Sequence, residues 1–239
     1  MSKRAEIRER RDRRRRQQRW LVVGVILTAA LILVVLLVYP SFTPVGDIVQ
    51  ITPRAMARAD GTAVGDPNAP VLIELYEDFQ CPACRAFSTT TVPRLIQYFV
   101  DTGQARLVFR QYPFIGTESM QAANASLCAN EQGRFWDYYD ILWANWNGEN
   151  EGAFVDRRLI AFAESLGLDV QTFRTCLDSH PHQSQIDSEL AAGEALGIHS
   201  TPSIVVNGKL IVDPLNPNSV PSYDILAAEI GAALAGATP

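Results

Sequence analysis

Cysteine and histidine are scarce in this chain, four and three among 239 residues. A zinc centre needs four ligands at close spacing, and few ways exist to assemble one here. Cys81 and Cys84 supply two at most. Cys128 and Cys176 stand alone, and His180, His182 and His199 do not flank them at metal-ligand spacing. No resident metal is therefore expected, and His180-Pro181-His182 reads as an exposed loop between helices. Internal repeats and low-complexity tracts are also missing, which argues against a repeat architecture. Charge is absent from Trp20 to Val38, nineteen residues that are almost all Leu, Val, Ile or Ala. As a helix this run spans about 29 Å, close to the hydrocarbon thickness of a bilayer. The segment after it, Tyr39-Pro40-Ser41-Phe42-Thr43-Pro44, lacks a small-residue cleavage pattern. An uncleaved anchor is therefore favoured over the competing reading, a cleaved signal peptide.

The charge that is present is unevenly placed. Residues 1–19 hold ten Lys and Arg against Glu6, Glu9 and Asp12, a net of +7, which leaves −12 on the rest of a chain whose total is −5. A solvated tail or a nucleic-acid arm would carry the same charge, but the adjacent apolar run makes it a topology signal. Positive residues stay cytoplasmic, Trp20 and Tyr39 sit where aromatic rings prefer the headgroups, and everything after Tyr39 is placed outside. No nucleic-acid partner is expected. An oxidising compartment lets disulfides persist, which suits four cysteines.

The organisation follows as a basic tail over 1–19, a transmembrane helix over 20–39, a linker over 40–60 with a short strand at Asp47–Thr52, and a domain over 61–239. Gly61 to Pro70 is turn-rich. Val71–Tyr76 has the apolar character of a buried strand, and Arg106–Gln111 reads as another. Between them a helix is expected from Pro82 to about Val100, with Pro93 kinking it or opening its second half. From Thr117 to about Leu196 the pattern is helical: Ala122, Ala125, Cys128 and Ala129 share a face, as do Phe135, Tyr139, Leu142 and Trp146, and Leu159, Phe162, Ala163 and Leu166 form a stripe ended by Gly167. The aromatic residues Phe135, Trp136, Tyr138, Tyr139, Trp143 and Trp146 are read as core rather than as a ligand box. Ser203–Val206 and Lys209–Val212 flank Asn207-Gly208, a strong hairpin signal. Pro221 to Leu234, capped by Ser222, closes the chain as a helix. The order gives an α/β fold, a mixed sheet covered on both faces.

Cys81-Pro82-Ala83-Cys84 falls between the first strand and its following helix. That junction puts the first sulfur at a helix N-terminus, where unsatisfied N–H groups favour thiolate over thiol. The second sulfur lies one turn in, within reach of a disulfide with the first. This is the arrangement of a dithiol that passes electron pairs; a structural disulfide closing the small ring is the alternative.

Thr201-Pro202 stands just before the hairpin, and its pairing with the dithiol resembles the thioredoxin fold, in which a cis-proline loop faces the cysteines. The helical block over about 117–196 resembles the insertion of the DsbA-type branch. Further matches are Gly65-Asp66-Pro67 with Ala69-Pro70-Val71, Asp78-Phe79-Gln80, Cys128-Ala129-Asn130-Glu131-Gln132-Gly133-Arg134-Phe135-Trp136, Phe173-Arg174-Thr175-Cys176-Leu177 and Gly197-Ile198-His199-Ser200-Thr201-Pro202. Together, over about residues 60–235, they resemble the membrane-anchored DsbA-like thiol:disulfide oxidoreductases of bacteria. The resemblance implies Cys81 as nucleophile and Cys84 as resolving thiol. Pro82 and Ala83 would tune the redox poise, and Thr201 and Pro202 would present backbone to an extended substrate. It further implies a structural disulfide between Cys128 and Cys176, with a relay receiving electrons from the first pair as the alternative. No cofactor is implied. The substrates would be cysteine-containing exported proteins, and reoxidation would come from a quinone-linked membrane thiol oxidase of the DsbB-like or VKOR-like type. A reductase or isomerase, and a chaperone binding unfolded chains, are the competing functions. Two positions depart from the pattern. The acidic residue six positions before the first cysteine is Leu75 here, and strand alternation aims Glu74 and Glu77 elsewhere, leaving a buried proton relay unassigned. Pro82-Ala83 also lacks the imidazole that supports the thiolate in the strong oxidant of the family.

Overall fold

The computed structural model describes residues 3–38, 45–54, 56 and 58–236. The chain divides after Gly46 into two units. The first holds α1 (Lys3–Val38), in which Arg13–Leu36 is long and apolar enough to cross a membrane, with a mean hydropathy of 2.6. Its described side chains from Trp20 to Leu36 are all exposed, an apolar surface that water does not favour. Tyr39 and Pro40 through Pro44, read above as the outer end of the span and the start of the linker, lie outside the described residues.

The second unit is built on a six-stranded sheet. Its strands are β1 (Ala59–Asp60), β2 (Ala63–Val64), β3 (Val71–Glu77), β4 (Ala105–Gln111), β5 (Ser203–Val206) and β6 (Lys209–Ile211), in the spatial order β1-β2-β4-β3-β5-β6. β3 is central, parallel to β4 with Leu75 opposite Phe109, and antiparallel to β5 with Leu75 opposite Ile204. A strand flanked on both sides and covered on both faces must be apolar nearly throughout, and Val71, Ile73, Leu75 and Tyr76 are all buried. Between β3 and β4 runs α2 (Pro82–Leu95), which continues as a single π-helical stretch, Ile96–Val100. Pro93 has no N–H to donate into the helical ladder, and just beyond it Asp101 N–H reaches back to the Ile96 carbonyl at 2.8 Å, the wider π spacing. The helix expected to Val100 is therefore present but changes type after the proline.

The helical block comprises α3 (Thr117–Glu131), α4 (Phe135–Ala144), α5 (Asp156–Ser165), α6 (Val170–Ser179) and α7 (Gln183–Ala195). The expected stripes face inward: Phe135, Trp136, Tyr138, Tyr139 and Trp143 are buried, and Trp146 is half-buried. Rings from this block meet the sheet directly, with Phe79 stacked on Phe109 at 5.1 Å and Tyr139 edge-on to both. The β5–β6 hairpin turns at Asn207 and Gly208, both at positive φ, as an Asn-Gly turn requires. α8 (Tyr223–Gly236) closes the unit, its first turn capped by the Ser222 hydroxyl accepting from Ile225 N–H at 3.4 Å.

Two local readings need correction. The strand expected at Asp47–Thr52 does not form, because Val49 gives both its N–H and its carbonyl to the side chain of Asn145 instead of a neighbouring strand. Ile48 and Ile51 pack on the core and Arg54 pairs with Asp140, so this part of the linker is docked. The turn-rich stretch begins inside a short hairpin, with β1 just before Gly61 and β2 just after it. Gly65, at φ +104, then lets the chain pass where a Cβ would lie 2.7 Å from Val100 and 2.8 Å from the Ala105 carbonyl.

Candidate active site

β3 delivers the chain to the start of α2 through Glu77-Asp78-Phe79-Gln80, and each of these four is buried. Asp78 accepts three backbone N–H bonds, from Gln80 at 2.8 Å, Phe114 at 2.9 Å and Ile115 at 3.0 Å. Cys81 N–H closes a turn on the Asp78 carbonyl at 2.9 Å. The Gln80 carboxamide donates to Ser119 at 3.0 Å and Asn150 at 3.2 Å, and the Gln80 backbone carbonyl accepts from Trp146 Nε1 at 2.8 Å. Arg85, one turn along α2, lies over the Trp146 ring and donates to the Trp143 carbonyl. The inserted helices thus grip the residues on both sides of the dithiol.

Cys81 is the N-cap of α2, with Pro82 at the first helical position. Proline suits that position, where its missing N–H has no partner in any case. The Cys81 sulfur accepts from Cys84 N–H at 3.4 Å and, as a thiol, donates to the Thr201 carbonyl at 3.4 Å. The Thr201-Pro202 peptide is cis. Cys81, Pro82, Ala83, Cys84, Thr201 and Pro202 therefore come together, although 120 residues separate Cys81 from Thr201. His199 is exposed.

The two sulfurs are unequal. The Cys84 thiol donating to Cys81 outweighs burial; with help from Thr201 and the backbone N–H groups of Cys84 and Ala83 it brings Cys81 down from 9.0 to about 6. Burial pushes Cys84 the other way, well above its usual value, reinforced by its donation to Cys81 and by the Glu77 carboxyl. An imidazole between the cysteines is thus not required for a thiolate at neutral pH, because the helix start and the second thiol supply the stabilisation.

Glu77, which strand alternation was expected to aim elsewhere, is buried close enough to act on Cys84. It ends the central strand, fully buried, where strand alternation no longer separates a wet face from a dry one. Ser88 Oγ donates to its carboxyl at 2.9 Å and Tyr139 OH at 3.4 Å. Burial pushes the carboxyl up from 4.5 to about 8, against the opposing pull of Ser88 and Tyr139. An unfolded chain would ionise this group near 4.5, so folding holds a proton between about pH 4.5 and 8. The contribution to stability is complete below that window, falls as pH rises through it, and is lost above it. In the oxidised protein, where Cys81 does not titrate, Glu77→Gln should remove this fall. The unfolding free energy from urea denaturation should drop in the parent relative to the variant by on the order of a few kcal/mol from pH 4.5 to 8; parallel pH profiles would show that Glu77 is ionised throughout.

Away from the site, Cys128 in α3 and Cys176 in α6 form a disulfide with Cα atoms 5.8 Å apart. Sequence spacing separates His182 from both, yet the fold places an imidazole nitrogen of it within 4.8 Å of the two sulfurs.

Comparison with known proteins agrees with this geometry. The thioredoxin family model matches residues 58–223. The chain is 30% identical over 152 residues to a probable disulfide bond formation protein D of Bacillus cereus, covering 62% of this chain and 70% of that one. Its structure is similar to oxidised BdbD from Bacillus subtilis, with a TM-score of 0.67 and 26% identity over 80% of this chain and 100% of that one. It is likewise similar to DsbA of Chlamydia trachomatis, with a TM-score of 0.61 and 25% identity over 80% and 96% of the two chains. With a cysteine pair at a helix start, a cis-proline loop beside it and these relatives, the chain belongs to the thioredoxin family as a DsbA-like disulfide oxidoreductase.

Proposed function

We propose that this protein is a membrane-tethered oxidase that introduces disulfides into exported proteins through Cys81 and Cys84. The observation that carries the reading is the Cys81 sulfur, held at the start of α2 with a pKa of about 6 beside a Cys84 thiol pushed the other way. A substrate thiolate attacks the Cys81 sulfur of the oxidised pair, expelling Cys84 and forming a mixed disulfide. A second substrate thiolate then attacks the substrate sulfur of that bond, and Cys81 leaves as a stabilised thiolate. The substrate gains one disulfide and the protein gains two electrons. Low basicity of the leaving sulfur speeds the second step and makes the oxidised pair the better oxidant. In the reverse sense Cys84 resolves mixed disulfides at Cys81. Pro82 and Ala83 set the poise by fixing the first helical turn. The Thr201-Pro202 loop, in contact with the Cys81 sulfur, offers backbone to an extended substrate. Cys128 and Cys176 brace the helical block.

The apolar run of α1 and the basic residues before it support an anchor with its N-terminus in the cytoplasm and the second unit outside. Two electrons per turnover must then leave through the membrane, for which a quinone-linked thiol oxidase of the DsbB-like or VKOR-like type is the fitting partner.

Two measurements test the proposal. In cells, Cys84→Ala should accumulate mixed disulfides of Cys81 with exported, cysteine-containing proteins, identifiable by mass spectrometry. The reduction potential of the pair should lie well above about −270 mV, the thioredoxin value. A potential at or below that value would make the protein a reductase.

A further inference from the structure

We infer that the Cys128–Cys176 bridge closes over a latent zinc site, opened by reduction, whose ligands are the two thiolates, the His182 imidazole and, at the fourth position, the Glu131 carboxylate or a water. Three elements converge there: the last turn of α3 carries Cys128 and Glu131, the last turn of α6 carries Cys176, and His182 stands immediately before α7. The sulfurs and an imidazole nitrogen lie within 4.8 Å of one another. A tetrahedral zinc ion with bonds of about 2.3 Å to sulfur and 2.0–2.1 Å to nitrogen needs its ligand atoms at separations inside that range. The histidine is poised for such a role. Its Nε2 is buried with no hydrogen-bond partner among the described residues, and Glu131 Oε1 lies 3.1 Å away without the alignment of a hydrogen bond. Cys128 and Cys176 are 1% and 6% exposed, whereas Glu131 is open to solvent, which leaves an entry path on one side. The C-terminal turns of α3 and α6, with partial negative charge, and the N-terminus of α7, with partial positive charge, meet at the site, so the ligand set and not the helix ends selects a cation.

In the oxidised protein the sulfurs are spent on each other and cannot ligate. A dithiol reductant transfers two electrons and two protons to the bridge, becoming a disulfide itself and leaving two thiols. Zinc then displaces both thiol protons, so binding is proton-linked. Thiolate and imidazole ligands suit this borderline-soft ion over calcium or magnesium. In either state α3 and α6 stay clamped, by a sulfur–sulfur bond or by the metal.

The test uses the full chain in detergent with Cys81→Ser and Cys84→Ser, so that Cys128 and Cys176 are the remaining thiols, and cobalt(II) as the optical probe. The oxidised protein should give no signal. After reduction by a phosphine, one equivalent of cobalt(II) should produce the ligand-field absorption of a tetrahedral site together with thiolate charge transfer, both abolished by zinc. Adding His182→Asn should weaken cobalt binding about tenfold or more. The inference is overturned if the reduced chain gives no such absorption, if His182→Asn binds equally well, or if the absorption appears only once near-ultraviolet circular dichroism is lost. It is also overturned if the bridge resists reduction in the folded chain.

Discussion

Cys81→Ser should reduce thiol–disulfide exchange to the uncatalysed rate, a loss of about 10³-fold or more, because the serine hydroxyl neither ionises near neutral pH nor forms the mixed disulfide. Cys84→Ala should instead retain the first attack and stall after it, so the two variants separate nucleophile from resolver. The parent gives the quantitative check. Alkylation of Cys81 in the reduced protein should titrate with a midpoint of about 6, making the sulfur about 90% thiolate at pH 7. The depressed value stabilises the folded, reduced form fully above pH 9; this stability is lost as pH falls through 6. At pH 7 it amounts to about 1.4 kcal/mol, or about 30 mV of added oxidising power over a dithiol with an ordinary thiol. An alkylation midpoint near 9 would remove the basis for an oxidase.

Removing the second bridge should act on stability rather than on chemistry. Cys128→Ser with Cys176→Ser opens a loop with a sequence separation of 48, and chain-entropy reasoning puts the loss at about 4 kcal/mol. For a folded unit of this size that lowers Tm by about 10 °C. Exchange at Cys81 measured well below the new Tm should persist, since neither residue touches the Cys81/Cys84 pair through any described contact. The relay alternative predicts the reverse, with catalysis lost while Tm is nearly unchanged. Such a stability loss is still smaller than the total of a well-packed domain, so a reduced, folded form of the protein is attainable.

Reading and structure part company at identifiable places. Gly61–Pro70 was legible as turn chemistry, but two-residue strands carry too little pattern to be seen, and β1 and β2 exist because β4 offers β2 an edge to pair with. Residues 47–54 look like a tether by composition; Asn145, 96 residues from Val49, docks them. Trp146 was expected on the inner stripe of a helix, but α4 ends at Ala144, and its half-buried ring commits the indole N–H to the Gln80 backbone carbonyl beside the site. No local signal encodes that partnership.

What the sequence determined by itself is everything decided within a turn or two of chain. The apolar run of α1, the sulfur at the helix start, the Asn-Gly hairpin and the inward stripes of the helical block follow from hydrophobic period, capping and turn stereochemistry, which act between near neighbours. Glu77 was visible as a residue but not as a buried acid, because its surroundings are Ser88 from α2 and Tyr139 from α4, 11 and 62 residues away. His182 beside the Cys128–Cys176 bridge, and Thr201 against the Cys81 sulfur, likewise depend on distant segments packing together. Burial and charge are properties of a closed surface, and only the folded chain has one.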